Sequence, residues 1–261
     1  TRFTLRLDDN IFSKIKENTK LIITTHVSNL SGTIFPIKQI GEICKKKEIL
    51  YLVDAAQSAG VLNIDLNNMN IDLLAFPGHK GLLGPQGTGG LIINNNLVLD
   101  QLKEGGTGSK SSSVYQPDFS PDKYESGTPN LPGIAGLNSG IKYILKRGRE
   151  SILKHENDLI DLFVSKIKKV DNIKIYGPEN NYNRSGVVSL NIGEIDSAEV
   201  AYILDSKYMI AVRPGLHCAP LAHKTLGTEN TGAVRFSFGP FNTEEEIIKA
   251  AHALKEISDN N

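Results

Sequence analysis

Residues 71–90 read IDLLAFPGHKGLLGPQGTGG. An apolar run of strand length stops at Phe76, and Pro77, Gly78, His79 and Lys80 follow at once, with glycines recurring behind them. Apolar, β-compatible residues halted by Pro-Gly predict a strand that hands its last residues to a tight turn. A lysine in that turn is either an ordinary solvated loop cation or an amine placed in a pocket for covalent chemistry. The neighbouring elements decide between the two.

Upstream, KLIITT (20–25) and ILYLVDA (49–55) are further apolar runs of strand length. Between them, PIKQIGEICKKK (36–47) places a proline in a first-turn position and Ile37, Ile40, Ile43 and Cys44 at helical spacing. GLIIN (90–94) supplies a further strand. Near-continuous apolar strands joined by helical crossovers predict an α/β fold, a mostly parallel sheet with helices on both faces. His26 and Asn29 follow the first strand, Asp54 and Gln57 lie at and just beyond the end of the second, and His79 and Lys80 follow the third. Open α/β sheets bind ligands outside the carboxyl ends of their strands. Singly, each of these polar residues reads as a loop residue or a cap; together they mark one crevice.

Composition narrows the partners. Lys+Arg and Asp+Glu number 29 each, so no net charge draws the chain to nucleic acid or to an anionic membrane. No apolar stretch reaches bilayer length and no signal-peptide pattern opens the sequence. Cys44 and Cys218 stand in unrelated contexts and form no disulfide framework, which points to a reducing cytoplasm. No metal site is expected. With 39% apolar and 22% charged residues, a substantial core is available.

The second half changes character. Residues 104–133 are rich in Gly, Ser and Pro and predict a long functional loop. Helical patterning covers 134–169, and IKIYG, GVVSLNI, DSAEVAYILDS, MIAVRPG and AVRFSFG then alternate strand-like and helical pieces. NTEEEIIKAAHALKEI (242–257) carries the signature of a capping box at Asn242 or Thr243. The division expected is a large ligand-binding domain over 1–140 and a small α+β domain over 141–261.

Nucleotides fit the crevice poorly. Lys80 is followed by Gly81, where a Walker loop needs Ser or Thr, and no G-x-G-x-x-G directly follows a strand. A loop lysine with a strand-end aspartate suits pyridoxal phosphate, whose aldehyde takes a lysine and whose ring nitrogen takes a carboxylate.

THVSNLSGTIFPI (25–37), YLVDAAQSAG (51–60), DLLAFPGHKGLLGPQGTGGL (72–91), ESGTPNLPGIAGL (125–137) and VRPGLHCAPLAHKTLG (212–227) resemble, in order, the motifs of class V aminotransferases. The resemblance is nearest to the cysteine desulfurase and selenocysteine lyase branch. It implies the fold of pyridoxal-phosphate-dependent transferases, with Lys80 tethering the cofactor and shuttling the substrate Cα proton. It further implies that Asp54 pairs with the ring nitrogen, Gln57 and Asn29 lie near the phenolic oxygen, and His79 contributes to the phosphate site.

Thr107, in GGTGS, corresponds to a residue that reaches the phosphate of a partner subunit, which implies a homodimer. Pro77 departs from the pattern. Relatives carry a hydroxyl residue there, and proline has neither hydroxyl nor N–H. The family also has an additional N-terminal segment with a Gly-Thr phosphate loop and a ring-stacking residue. That segment is expected outside this sequence, and the fragment alone is not expected to be a competent enzyme.

The cysteines separate the functional alternatives. Cys44 sits on an apolar helical stripe and reads as a buried, inert thiol. Cys218 lies in RPGLHCAPL beside Arg213 and His217, an electropositive setting that favours thiolate. In the resembling branch this cysteine takes sulfur from L-cysteine as a persulfide and releases L-alanine. The sulfur then passes to an acceptor protein for iron–sulfur clusters or thiolated cofactors. Arg235 matches the arginine that grips the substrate carboxylate with its planar fork, and Arg213 and His217 are further candidates for substrate binding. The alternatives are another class V enzyme, an aminotransferase or selenocysteine lyase in which Cys218 is dispensable, or a truncated, inactive protein of the same fold.

Overall fold

The structure, a computed structural model, describes residues 12–94, 96–178 and 183–260. After a 3-10 turn at Phe12–Lys14 come β1 (Leu21–Thr25), α1 (Ile37–Lys46), β2 (Leu50–Asp54), β3 (Leu73–Pro77) and β4 (Gly89–Ile93). These strands form one sheet in the order β1-β2-β3-β4. The first three are parallel; β4 returns antiparallel onto β3, pairing Leu73 with Ile93 and Pro77 with Gly89. The antiparallel step follows from the short 78–88 connection, which holds no helix to carry the chain back across the sheet.

Helix α1 covers one face. Its stripe of Ile37, Ile40 and Cys44 packs on Tyr51, Val53 and Leu74, a core in which Cys44 is 1% exposed. Burial pushes the Cys44 thiol up to about 11, with the charge of Asp72 adding to the rise. On the opposite face Leu21, Ile23 and Leu91 are exposed.

Residues between β4 and α2 (Leu131–Arg147) form neither helix nor strand among those described. Helix α2 begins where Asn130 accepts from Gly133 N, with proline in the first turn, and ends at Gly148, whose φ of 85° suits glycine. The expected division at residue 140 thus falls within α2. Helix α3 (Arg149–Ile167) follows directly.

A second, antiparallel sheet contains β5 (Ile173–Tyr176), β6 (Val187–Ile192) and β7 (Val234–Ser237) in that order. Between β6 and β7 lie α4 (Ser197–Tyr208) and the short α5 (Pro220–Leu226); α6 (Glu244–Asp259) closes the order. Leu159 and Phe163 of α3, Leu204 of α4 and Leu254 of α6 bury Val188, Leu190 and Ile192 of β6. The strand-like reading of MIAVRPG reduces to one bridge, Arg213 with Arg235. Helix α5 has no counterpart in the sequence reading, because seven residues are too few to show a period.

The two sheets are joined by the loop after β1. Ser189 Oγ, on the other face of β6, donates to Leu30 O (2.5 Å), and Ser185 N donates to Gly32 O (2.9 Å). Arg184 Nη1 donates to Ser31 O (3.2 Å). Leu30 is fully buried against Tyr176 and Ala233. A Cβ on Gly32, at φ +69°, would lie 2.7 Å from Val187 O, so only glycine lets the loop pass this close.

Candidate active site

The two units enclose a cavity of about 410 Å³, within the range of small-molecule sites. Asn29, Gln57 and Lys80 line it from the first sheet, and Arg213, His217, Cys218 and Arg235 from the second. Asp54, His79 and Thr107 are not among its lining residues. Asp54 ends β2 and is the strongest charge opposing the lowered pKa of Lys80, with Oδ1 accepting from Ala56 N at 2.8 Å. His79 is exposed, and Thr107 Oγ1 lies 2.9 Å from Ser109 Oγ.

Lys80 sits in the turn that leaves β3. A Cβ on Gly81 would lie 2.5 Å from Ala59 O, and one on Gly60 would lie 2.5 Å from Gly81 O. The turns after β2 and β3 therefore meet backbone to backbone, which seats Lys80 near the end of β2. Partial burial lowers the Lys80 pKa, Asp54 opposes that, and Arg235 and Arg213 push it further down. The net shift is downward, the direction that nucleophilic chemistry needs.

Arg235 of β7 reaches across the interface: Nη1 donates to Asn29 O at 2.8 Å, while Nε is buried without a partner among the described residues. Burial and Arg213 hold its pKa below the usual arginine value. Asn29 Nδ2 in turn donates to His217 O at 2.6 Å. Arg213 Nη2 donates to Cys218 Sγ at 3.4 Å, and Cys218 is exposed to solvent.

His217 behaves differently from the sequence expectation of an electropositive neighbour. It is 2% exposed, burial lowers its pKa to about 4, and both ring nitrogens are engaged away from the sulfur. The positive charge beside Cys218 comes from Arg213 alone of the two.

Glu156 was missed. It lies on α3, is 4% exposed, and lines the same cavity. Burial pushes its carboxyl up to about 7, against the pull of Arg147. The signal was present in the spacing: Ile152, Glu156, Leu159, Ile160 and Phe163 share one helical stripe, all buried. His26 is also buried, with Nδ1 lacking a partner among the described residues, and burial lowers its pKa to about 4. No group of three or more His, Cys, Asp or Glu among the described residues could hold a metal.

The geometry sets a lysine amine and a strand-end aspartate at neighbouring parallel strands near a cysteine and two arginines, and comparison with known proteins gives the family of the chain as a whole. The sequence fits the Aminotransferase class-V family over residues 4–249. The chain belongs to the class-V aminotransferase family. This is a family of pyridoxal-phosphate-dependent enzymes.

A protein of Methanothermobacter thermautotrophicus named "Probable cysteine desulfurase" is 40% identical over 250 residues, covering 94% of this chain and 62% of that protein. An Escherichia coli protein named "Cysteine desulfurase" is 34% identical over 248 residues, covering 92% of this chain and 59% of its own length. The structure of a cysteine desulfurase from Thermococcus onnurineus, described as apo, superposes with a TM-score of 0.82 at 33% identity. That match covers 93% of this chain and 60% of that one. The class-V chain described here thus spans about three-fifths of the length of these relatives.

The residues present fit the ring end of pyridoxal phosphate. Lys80, whose pKa is lowered, lines a cavity of suitable size with Gln57 and Asn29, and Asp54, outside the lining, acts on the lysine as an opposing charge. The orphaned buried donor Arg235 Nε belongs to a side chain of the same cavity. At the phosphate end, Pro77 pairs with Gly89 in the sheet, and the nearby Thr88 hydroxyl is committed to Pro85 O at 2.6 Å.

Proposed function

We propose that the protein is a pyridoxal-phosphate-dependent cysteine desulfurase that converts L-cysteine to L-alanine and leaves the sulfur on Cys218 as a persulfide. The observation that carries this reading is the placement of Cys218 and Lys80 on one cavity, with Arg213 donating to the sulfur. The names of the similar proteins support it.

Lys80 would tether the cofactor, Asp54 would pair with its ring nitrogen, and Gln57 and Asn29 would flank its ring oxygen. His79, and Thr107 from a second subunit, would serve the phosphate. When bound, the cofactor supplies an electron sink for the substrate Cα. Lys80 Nζ takes and returns the Cα proton, for which a lowered pKa is the useful direction. Arg235 holds the substrate carboxylate through its fork, assisted by Arg213, and His217 shapes the wall beside them. The Cys218 thiol takes the substrate sulfur: L-cysteine and the protein thiol become L-alanine and a protein persulfide, with atoms and charge in balance.

The reading extends to a cytoplasmic homodimer that passes sulfur to an acceptor protein for iron–sulfur cluster assembly. It also divides the chain into a cofactor-binding unit (1–140) and a smaller unit (141–261). No helix among the described residues is long and apolar enough to cross a membrane.

The test is sulfide release from L-cysteine by the full-length holoenzyme under reductant. Cys218→Ser should abolish it while cofactor absorbance is kept, and Lys80→Ala should abolish both. Desulfuration by Cys218→Ser at the parent rate would refute the persulfide route and leave another class V activity.

A further inference from the structure

Behind Cys218 runs a buried chain of hydrogen bonds that the proposed chemistry does not use. His217 Nε2 lies 2.9 Å from Arg213 O, and His217 Nδ1 lies 3.3 Å from His223 Nε2. His223 Nδ1 lies 2.8 Å from Thr228 Oγ1. All three side chains are buried, His223 completely, and the two rings are stacked 11° from parallel.

Donor and acceptor roles follow from one end. A backbone carbonyl only accepts, so His217 Nε2 carries the proton. In the neutral ring Nδ1 is then a lone pair, and the bond to it must come from His223 Nε2–H. His223 Nδ1 is left as a lone pair in turn, and the Thr228 hydroxyl donates to it. With both rings neutral every nitrogen is satisfied, the Thr228 hydroxyl favouring His223 Nδ1 at 2.8 Å over His223 O at 3.5 Å, and burial disfavours a cation on either ring. A second proton on His217 would force His223 into its Nδ1–H tautomer and reverse the Thr228 bond, near the cations Arg235 and Arg213.

What this chain holds is strained. His217 and Cys218 both lie at positive φ, 52° and 57°, a region that a residue with a Cβ rarely adopts. Two such residues in succession persist only where surrounding bonds over-determine them. Those bonds are the His217 ring to Arg213 O, Asn29 to His217 O, and the Arg213 guanidinium to Cys218 Sγ.

The geometry assigns His223 and Thr228 a positioning role: they lock His217 in its Nε2–H tautomer, and with it the left-handed turn that sets Cys218 Sγ against the Arg213 guanidinium. The importance of that turn for turnover rests on the proposed desulfurase reading. The arrangement itself does not, and its test reads tautomers and thiol reactivity rather than activity.

Nitrogen-15 imidazole spectra of the full chain near neutral pH should show both rings neutral, with Nε2 protonated and Nδ1 bare. An Nδ1–H tautomer or a cation at either residue overturns the assignment. Alkylation of Cys218 by iodoacetamide, followed by the mass of its peptide across a pH series, supplies the second measurement. His223→Gln restores a donor at the position of Nε2 and should keep the parent profile. His223→Leu should shift the profile and change the rate several-fold. Equal behaviour of the Gln and Leu variants, both as parent or both altered alike, overturns it. Should the Leu variant fail to fold, Thr228→Val decides: it should release the His223 tautomer and move the profile in the same direction, and an unchanged tautomer there is equally fatal.

Discussion

Lys80 owes its position to its neighbour Gly81, whose absent side chain leaves room for Ala59 O. Gly81→Ala places a methyl against backbone, which has no rotamer to yield, so the turns after β2 and β3 must separate. The expected cost is about 1–3 kcal/mol, read as a lower denaturation midpoint, together with weaker retention of added cofactor. Glu156 works against stability at neutral pH. Its folded pKa of about 7 lies above the ordinary 4.5, so its contribution is fully present below pH 4.5 and is lost as pH rises through 7. Glu156→Gln should therefore gain up to about 3 kcal/mol at pH 8 and nothing near pH 4.5, measured by urea unfolding at both. Neither residue's role was readable from its identity alone. A glycine among many acquires meaning from the backbone it touches, and a glutamate in a charged helix from the apolar stripe it shares.

Among the elements, α6 shows how local signals and packing combine. Thr243 accepts from Glu246 N at 3.3 Å while the Glu246 carboxylate accepts from Thr243 N at 3.1 Å, the reciprocal cap anticipated from NTEEE. Ile247, Ala250, Leu254 and Ile257 then bury one stripe in the core of the second sheet. Because α6 belongs to that core, fraying is coupled to the whole unit. Thr243→Ala should lower global unfolding free energy by about 1 kcal/mol, checked by denaturant titration. Strands β1, β2, β3, β5 and β6 and helices α1, α4 and α6 were legible because each presents a complete period. The antiparallel return of β4 and the seven-residue α5 were not, since one depends on a partner strand and the other is shorter than two turns.

At the scale of the molecule, burial of ionisable groups between packed elements sets the pH response. His26 and His217 each have a folded pKa near 4, below the ordinary 6.5. Their stabilisation is complete above pH 6.5 and is lost as pH falls toward 4, by roughly 2–3 kcal/mol each. Glu156 offsets part of this by regaining stability over the same descent. The urea midpoint should therefore fall between pH 7 and pH 4.5, and fall more steeply in Glu156→Gln; a flat profile in both would contradict the burial argument.

The sequence by itself determined the parallel strand ends and the polar residues they deliver, because period, Pro-Gly punctuation and strand-end chemistry are all local. It singled out Lys80 and Asp54 as candidates for the same reason. Only the tertiary structure brought Asn29 against His217 and Arg235, separated by 188 and 206 positions, and laid the 26–35 loop on β6. It alone turned His217 away from the sulfur and onto His223. Those contacts join elements distant along the chain, and no local pattern encodes which buried donor will meet which acceptor once two sheets close on each other.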